Sequence, residues 1–338
     1  MLGWLRRNFA TPAELKAAGV LGLNERNRAC ISALNPRSRF PLVDDKLQTK
    51  LLAQDYQLAT PALLGVIRQQ AEIAHFERFL PQQGGFAIKP AKGSGGKGIL
   101  VIQHRSGDRY LKASGEWVSR QQIEHHLSNL ISGLYSLGGH PDVAIIETLI
   151  RSHQAFEDFT FEGVPDIRVI VYRGYPVMAM MRLSTHASDG KANLHQGALG
   201  VGIDLGSGCA LQAVQHDRPV HLHPDTGKPL SQLRISNWQY LLELASRCYD
   251  MTRLGYLGAD LVVDAEHGPL LLELNARPGL AIQMANGTGL KPRLLKINRH
   301  CEGVRGPEEP FQLRVEVARR LFSGTVTASS VPEVCSGD

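Results

Sequence analysis

The hydrophobic period of the chain changes several times, and each change marks an element. Residues 1–45 are rich in helix formers, show little alternation, and are broken by Pro36 and Pro41. In Asp45–Asp55 (DKLQTKLLAQD) the pattern predicts a helix with Leu47, Leu51 and Leu52 on one face and Asp44 or Asp45 as cap. Thr60-Pro61 imposes an extended link, after which a second helical stretch is expected to run to about Leu80 and stop at Pro81. From Phe86 the alternation becomes that of strands. FAIKPA and GILVI are two short β-type runs flanking a glycine-rich turn. The next helix opens on a capping box, Ser119 with Gln122, and carries Ile123, Leu127, Leu130, Ile131 and Leu134. VAIIETLI (143–150) is a continuous apolar run and reads as a buried strand.

The second half repeats the strand–helix mixture. DIRVIVY (166–172) and PVMAMMR (176–182) form a hairpin around Arg173-Gly174, followed by a polar, glycine-rich stretch from Ser184 to Gly208. A helix from about Asn237 to Tyr249 has Ser236 and Gln239 as its capping box and Trp238, Leu241, Leu242 and Ala245 as its apolar stripe. ADLVVD and PLLLEL make a last hairpin, and the tail beyond about Ser323 is expected to be disordered. Hairpins in place of strict βαβ alternation give an α+β fold.

Composition narrows the class. The 338 residues suffice for two or three lobes with a real core, and clustered, aperiodic glycine (34 residues) rules out collagen-like sequence. No uncharged apolar run approaches the ~20 residues of a membrane helix. MLGWLRRNFATPAELK lacks the apolar core of a secretory signal, so a cytoplasmic location is expected. Five separated cysteines (Cys30, Cys209, Cys248, Cys301, Cys335) without a CxxC pair read as reduced packing or surface residues. A net charge of +5 hints at an acidic partner, but only 6% aromatic residues gives poor support to a nucleic-acid surface built on stacking.

GSGGKG (93–98) satisfies G-x-G-x-x-G, yet a β-type run follows it where a dinucleotide fold needs a helix. Lys97 is followed by Gly98 and Ile99, so the loop is not a Walker A motif, and no kinase H-R-D-L or D-F-G follows. What remains is a hairpin loop whose bare amides can fold over phosphate oxygens, or an ordinary glycine turn. Lys89, Lys92 and Lys97 surround it. Lys89, inside an apolar strand, either meets an anion or reaches out to solvent.

The strongest local constellation is GADLVVDAEHGPLLLELNARPG. A tight turn between Glu266 and His267 would set Asp260 opposite Glu273, and Leu261, Val262 and Val263 opposite Leu272, Leu271 and Leu270. Asn275 then lies on the face of Glu273. Two carboxylates and an amide oxygen on one face need a cation between them. Oxygen-only donors favour a hard ion such as Mg²⁺, while a salt bridge to Arg277 is the structural alternative.

In this order the motifs resemble the ATP-grasp superfamily, and more closely its RimK-type glutamate-ligase branch, over roughly residues 40–290. DDKLQTKLLAQ with QLATPALL looks like the family's opening helix and loop, and FAIKPAKGSGGKGI like its nucleotide strand and phosphate loop. The resemblance implies an α+β ATP-grasp fold of two lobes clamping ATP: a short helical region over 1–45, an N-terminal lobe over 46–150, a C-terminal lobe over 151–305 and a terminal helix and tail over 306–338. It implies that Lys46, Lys89 and the loop Gly93, Ser94, Gly95, Gly96, Lys97 and Gly98 hold the phosphates. The backbone of Glu147, Thr148 and Leu149 would read the adenine edge, with Asn193 also near the nucleotide. Arg182 and Arg168 would stand near the transferred phosphate and acyl group, and ANLHQGALG (192–200) would cover the site, with His195 touching substrate, acting as a base, or simply satisfied within its loop. Asp260, Glu273 and Asn275 match magnesium ligands, for one or two ions with manganese as an alternative.

Two departures stand out. Ala198 occupies a position where a second glycine is common, and Arg277 stands where a small residue is usual, which points to an altered carboxylate substrate. In addition, only 45 residues precede Lys46, fewer than the family's usual first domain. The implied chemistry is amide formation between a carboxylate, glutamate or another amino acid, and an amine on an amino acid or peptide, through an acyl phosphate. The alternatives are an ATP-grasp kinase and a non-catalytic nucleotide-binding regulator. Neither nucleic acid nor membrane is expected as a partner.

Overall fold

The computed structural model describes residues 10–82, 84–93, 95–136, 138–303 and 308–324. Two antiparallel sheets organise it. The first contains β1 (Leu63–Ile67), β2 (Phe86–Pro90), β3 (Leu100–Ser106), β4 (Arg109–Lys112), β5 (Trp117–Ser119) and β6 (Ala144–Thr148), in the order β1-β6-β2-β3-β4-β5. The second contains β7 (Asp166–Tyr172), β8 (Tyr175–Leu183), β9 (Leu199–Ile203), β10 (Ala210–Gln215), β11 (Arg218–Val220), β12 (Tyr256–Asp264) and β13 (Gly268–Asn275), in the order β11-β10-β9-β8-β7-β12-β13. The α+β reading therefore holds. Among the described residues no helix is long and apolar enough to cross a membrane.

Each sheet has its own core. Ile67, Phe86, Ile88, Ile102, Tyr110, Ile123, Leu127 and Ile146 pack the first. The larger second core gathers the apolar positions of β7, β8 and β12, with the helices Trp238–Thr252 and Phe311–Phe322 packed on that sheet. The N-terminal segment joins this second core through Leu21, Cys30, Ile31 and Val43, and so is not a separate layer. Asn35 fastens it, donating from Nδ2 to the carbonyls of Tyr256 (2.6 Å) and Ala276 (3.3 Å). Arg26 donates from Nη1 to the Pro278 carbonyl at 2.9 Å, and Arg277 lies over the Phe40 ring at 4.6 Å.

Several local expectations need correction. The helix Lys46–Asp55 forms under an Asp45 cap, but it buries Leu47, Thr49, Lys50 and Ala53 while Leu51 is exposed. The helix expected toward Leu80 is instead β1, followed by the short helix Gln70–Ile73 and a 3-10 turn, Phe76–Phe79. The four apolar side chains of β1 have an edge available on β6, and pairing there overrides a weak helical pattern. Leu134 falls past the end of the helix Arg120–Ile131 and is exposed. The helix Trp238–Thr252 has the expected stripe, but its cap is Asn237 in the left-handed conformation, without the Ser236 capping box. Strands β4, β5, β9, β10 and β11 were not foreseen; β9 lies inside the stretch read only as polar and glycine-rich. The expected disordered tail and Cys335 lie outside the described residues; Cys30, Cys209, Cys248 and Cys301 are free thiols.

Candidate active site

A cavity of about 520 Å³ opens between the two sheets. One wall comes from the helix Lys46–Asp55 and from β2, β3 and β6, and includes Lys46, Lys50, Ala87, Lys89, Val101, Glu147 and Leu149. The opposite wall comes from β13, with Leu271, Leu272, Glu273 and Leu274, and from Glu162–Val164 and Asp189–Lys191. Its surface is apolar around Ala87, Val101, Leu149 and Leu274 and cationic toward the lysines.

Asp45 sets the start of the helix by accepting the Leu47 and Gln48 amides, which brings Lys46 beside the glycine loop. The Lys46 ammonium donates to the Gly93 carbonyl at 2.7 Å and stands 3.4 Å from Glu273, joining glycine loop and acidic hairpin. In that loop Gly95, Gly96 and Gly98 take positive φ. A side chain on Gly98 would run into Tyr135, whereas Gly95 and Gly96 face open space. Ser94 lies outside the described residues.

Lys89 lies in β2 and meets the anion that its burial called for: Nζ is 2.7 Å from the Glu147 carboxylate. Glu147 takes a second cation, Lys50, at 3.0 Å. Burial pushes the Glu147 carboxyl up, but Lys89 and Lys50 together outweigh it and leave it below the ordinary value. Burial likewise lowers the Lys50 ammonium, against the pull of Glu147. The Glu147 backbone is paired in register with Leu63 on one side and Ala87 on the other, and the Thr148 amide donates to Ala62 O at 3.0 Å. The Leu149 amide donates likewise, to the Gly85 carbonyl at 3.4 Å, and Glu147, Thr148, Leu149 and Ile150 all line the cavity.

The second sheet presents Asp166, Arg168, Arg182, Asp260, Glu273 and Asn275 from neighbouring strands. Asp260 does face Glu273, but by a different route from the one anticipated. The turn is longer, so Leu261, Val262 and Val263 oppose Leu271, Leu270 and Pro269, and a bulge beside Asp260 restores the register. Arg168 donates to Asp260 from Nε at 2.7 Å and from Nη2 at 2.5 Å, and Arg182 adds a third bond at 2.9 Å. Arg182 also forms a bidentate pair with Asp166. Burial works against the Asp260 charge, yet the two arginines hold its carboxyl at about 2. Asp166 moves the other way: burial, helped by the charge on Asp260, raises it in spite of Arg182. Arg182 is itself held above its ordinary value because Asp166 and Asp260 outweigh its burial.

Arg168 and Arg182 therefore occupy the role offered to Arg277 as partner of Asp260. Arg277 instead lies on Phe40, 3.8 Å from Asp44 and half exposed. Asn193 caps its own loop by accepting the His195 amide at 3.0 Å. The His195 side chain is exposed and has no partner among the described residues. Gly197 anchors this loop, its carbonyl receiving Thr185 Oγ1 at 3.0 Å and Gln215 Nε2 at 2.8 Å. Ala198 is buried and is not among the residues of positive φ, so the missing glycine costs no backbone strain.

Among the described residues no three His, Cys, Asp or Glu side chains cluster as a metal site. The donors of Asp260, Glu273 and Asn275 are two carboxylates and an amide oxygen, a set that fits a hard cation completing its shell with water and phosphate. Both Asp260 oxygens are taken by arginine, and Asn275 Oδ1 accepts the Arg277 amide at 2.8 Å. Glu273, at the cavity wall, offers the most accessible oxygens.

Sequence reasoning missed Lys50 and Asp166. Lys50 follows Lys46 by one helical turn, which is a readable signal. Asp166 faces Arg182 only because β8 is bulged near Val171, which no pattern announces. Gly202 on β9 allows the segment after Ile282–Ala285 to lie on the sheet, since a Cβ there would come 2.3 Å from the Ala285 carbonyl. Gly202→Ala is expected to cost about 1–3 kcal/mol by overpacking, read from the denaturant midpoint.

The family profile described as sugar-transfer associated ATP-grasp matches residues 25–299. No curated protein matches the chain. Among solved structures, the ATP-grasp ligase PsnB with its minimal precursor is 14% identical with a TM-score of 0.44, covering 78% of this chain and 61% of PsnB. The D-cycloserine synthetase DcsG is 13% identical with a TM-score of 0.44, covering 85% of this chain and 73% of its own. A RimK-domain ATP-grasp protein from Sphaerobacter thermophilus is 12% identical with a TM-score of 0.44, covering 78% and 70%. The chain thus spans less than two thirds of PsnB. With its profile match running through both sheets and both walls of the cavity, the chain belongs to the sugar-transfer associated ATP-grasp family.

Proposed function

We propose that the protein is an ATP-dependent carboxylate–amine ligase that forms an amide through an acyl phosphate. The acid is glutamate or another amino acid, and the amine is carried by an amino acid or peptide. The family's association with sugar transfer adds a sugar-borne amine as a third acceptor class. One observation carries the reading: Lys46, Lys50 and Lys89 line one wall of a cavity between two sheets and Glu273 the other, with Asp260 and two arginines beside Glu273 on its sheet.

The first step brings together two anions, a carboxylate and the γ-phosphate of ATP, so the site must neutralise charge and align the attack. Lys46 and Lys89 hold phosphate oxygens, and the amides of Gly95 and Gly96 close over them. Arg182 meets charge on the transferred phosphoryl group. Arg168 and Arg277 orient the substrate carboxylate, and His195 lies over the acyl group from its exposed loop. Asp260, Glu273 and Asn275 would hold Mg²⁺, or Mn²⁺ in its place, which supplies charge neutralisation between phosphate oxygens. An amine then displaces phosphate from the acyl phosphate and leaves the amide.

The test is ADP release with magnesium across a panel of acid and amine pairs, amino sugars included, with the carboxylate oxygens of the acid isotopically labelled. The label is expected in the released phosphate. Turnover with unlabelled phosphate, or with phosphate retained on a hydroxyl, would sink the ligase reading.

A further inference from the structure

We propose that Lys50 is a positioning residue whose task is to keep Glu147 neutralised so that Lys89 is free to bind nucleotide phosphate. The inference rests on the ATP-site reading above. It starts from the unequal engagement of two lysines on one buried carboxylate.

Lys50 is 5% exposed and anchored twice, 3.0 Å from Glu147 and 2.5 Å from the Pro61 carbonyl. The Lys89 ammonium has Glu147, at 2.7 Å, as its one partner among the described residues. Both lysines border the cavity. The Glu147 backbone is held by strands on both sides, which keeps its carboxylate within reach of Lys50.

A buried carboxylate stripped of its cation is strongly unfavourable. If Lys89 were the only counter-ion of Glu147, its transfer to a phosphate would leave such a carboxylate behind. With Lys50 fixed in place, Glu147 keeps a cation when Lys89 turns toward phosphate. Lys50 thus lowers the cost of nucleotide binding without itself reaching the nucleotide.

The experiment is calorimetric titration of the full chain with ATP and magnesium. Lys50→Met is expected to weaken ATP binding by about 10-fold or more, because Lys89 becomes the sole partner of Glu147. Adding Glu147→Gln to that variant removes the competing charge and is expected to restore affinity to within about threefold of wild type. A double variant as weak as Lys50→Met overturns the proposal, since a lysine that touches ATP directly or serves only packing is not rescued this way. Should Lys50→Met fail to fold, Glu147→Gln alone decides. It is expected to bind ATP more tightly than wild type, and equal or weaker binding overturns the proposal. A wild-type chain that does not bind ATP would instead refute the ATP site itself, and the wild-type titration shows this separately.

Discussion

Replacing Glu273 by alanine is expected to lower the rate of ADP release by about 10²–10³-fold or more while shifting the melting temperature by less than about 3 °C. The two effects separate because of where the side chain lies. Its one ion pair, with Lys46 at 3.4 Å, involves a carboxylate about a third exposed (36%), and such a pair contributes at most about 1 kcal/mol. Its proposed catalytic duty is large by contrast, since it offers the most accessible oxygens for the ion that neutralises the phosphates. Raising magnesium should recover part of the loss in Glu273→Gln, which keeps one oxygen donor. Turnover at the wild-type rate in the alanine variant would show that the ion is held elsewhere.

Asp260→Asn is expected to behave differently: activity falls, and about 3–5 kcal/mol of stability goes with it. Asp260 is 4% exposed and accepts three hydrogen bonds from Arg168 and Arg182. Removing its charge leaves Arg182 on Asp166 and takes from Arg168 its one carboxylate partner among the described residues. The acid side of the stability profile gives the sign. Asp260 has a folded value of about 2 against an ordinary 3.8, so its ionisation contributes stability above about pH 3.8, lost as the pH falls toward 2. That shift corresponds to about 2 kcal/mol, and the gap between wild type and Asp260→Asn should narrow by about this amount over the interval. Asp166 carries the opposite sign, since its raised value favours the folded state as protons are added, and part of that rise comes from the Asp260 charge, so the Asp260→Asn variant is compared with wild type in an Asp166→Asn background as well. Denaturant midpoints across that pH range measure it. A gap that does not change with pH would mean that Asp260 is not held ionised by the arginines.

The sequence carried the site better than the surrounding architecture. Lys89, the glycine loop and the Asp260–Glu273 pair follow from local signals, a charge in an apolar strand, a cluster of glycines and a hairpin, whereas Lys46 is named by the family resemblance alone. What escaped notice was set by non-local pairing. Strand β1 exists because β6 offers it an edge, and β9 is hidden in a glycine-rich stretch because Gly200 and Gly202 are themselves strand residues. The arginine partners of Asp260 come from β7 and β8, roughly eighty to ninety residues earlier, which is why the neighbour in sequence, Arg277, looked like the natural choice. Bulges in both hairpins moved side chains by one position, and a simple pairing rule cannot place them.

The docking of the N-terminal segment has a consequence for how the molecule assembles. Ala276, Arg277 and Pro278, the residues immediately after the proposed metal ligand Asn275, are each held from the segment, by Asn35, Phe40 and Arg26. Those contacts span some 240 to 250 positions of chain, among the longest loop closures in the protein. During synthesis the segment emerges well before β12 and β13, so the contacts that seat Arg26, Asn35 and Phe40 on the acidic hairpin form only once that hairpin has been made.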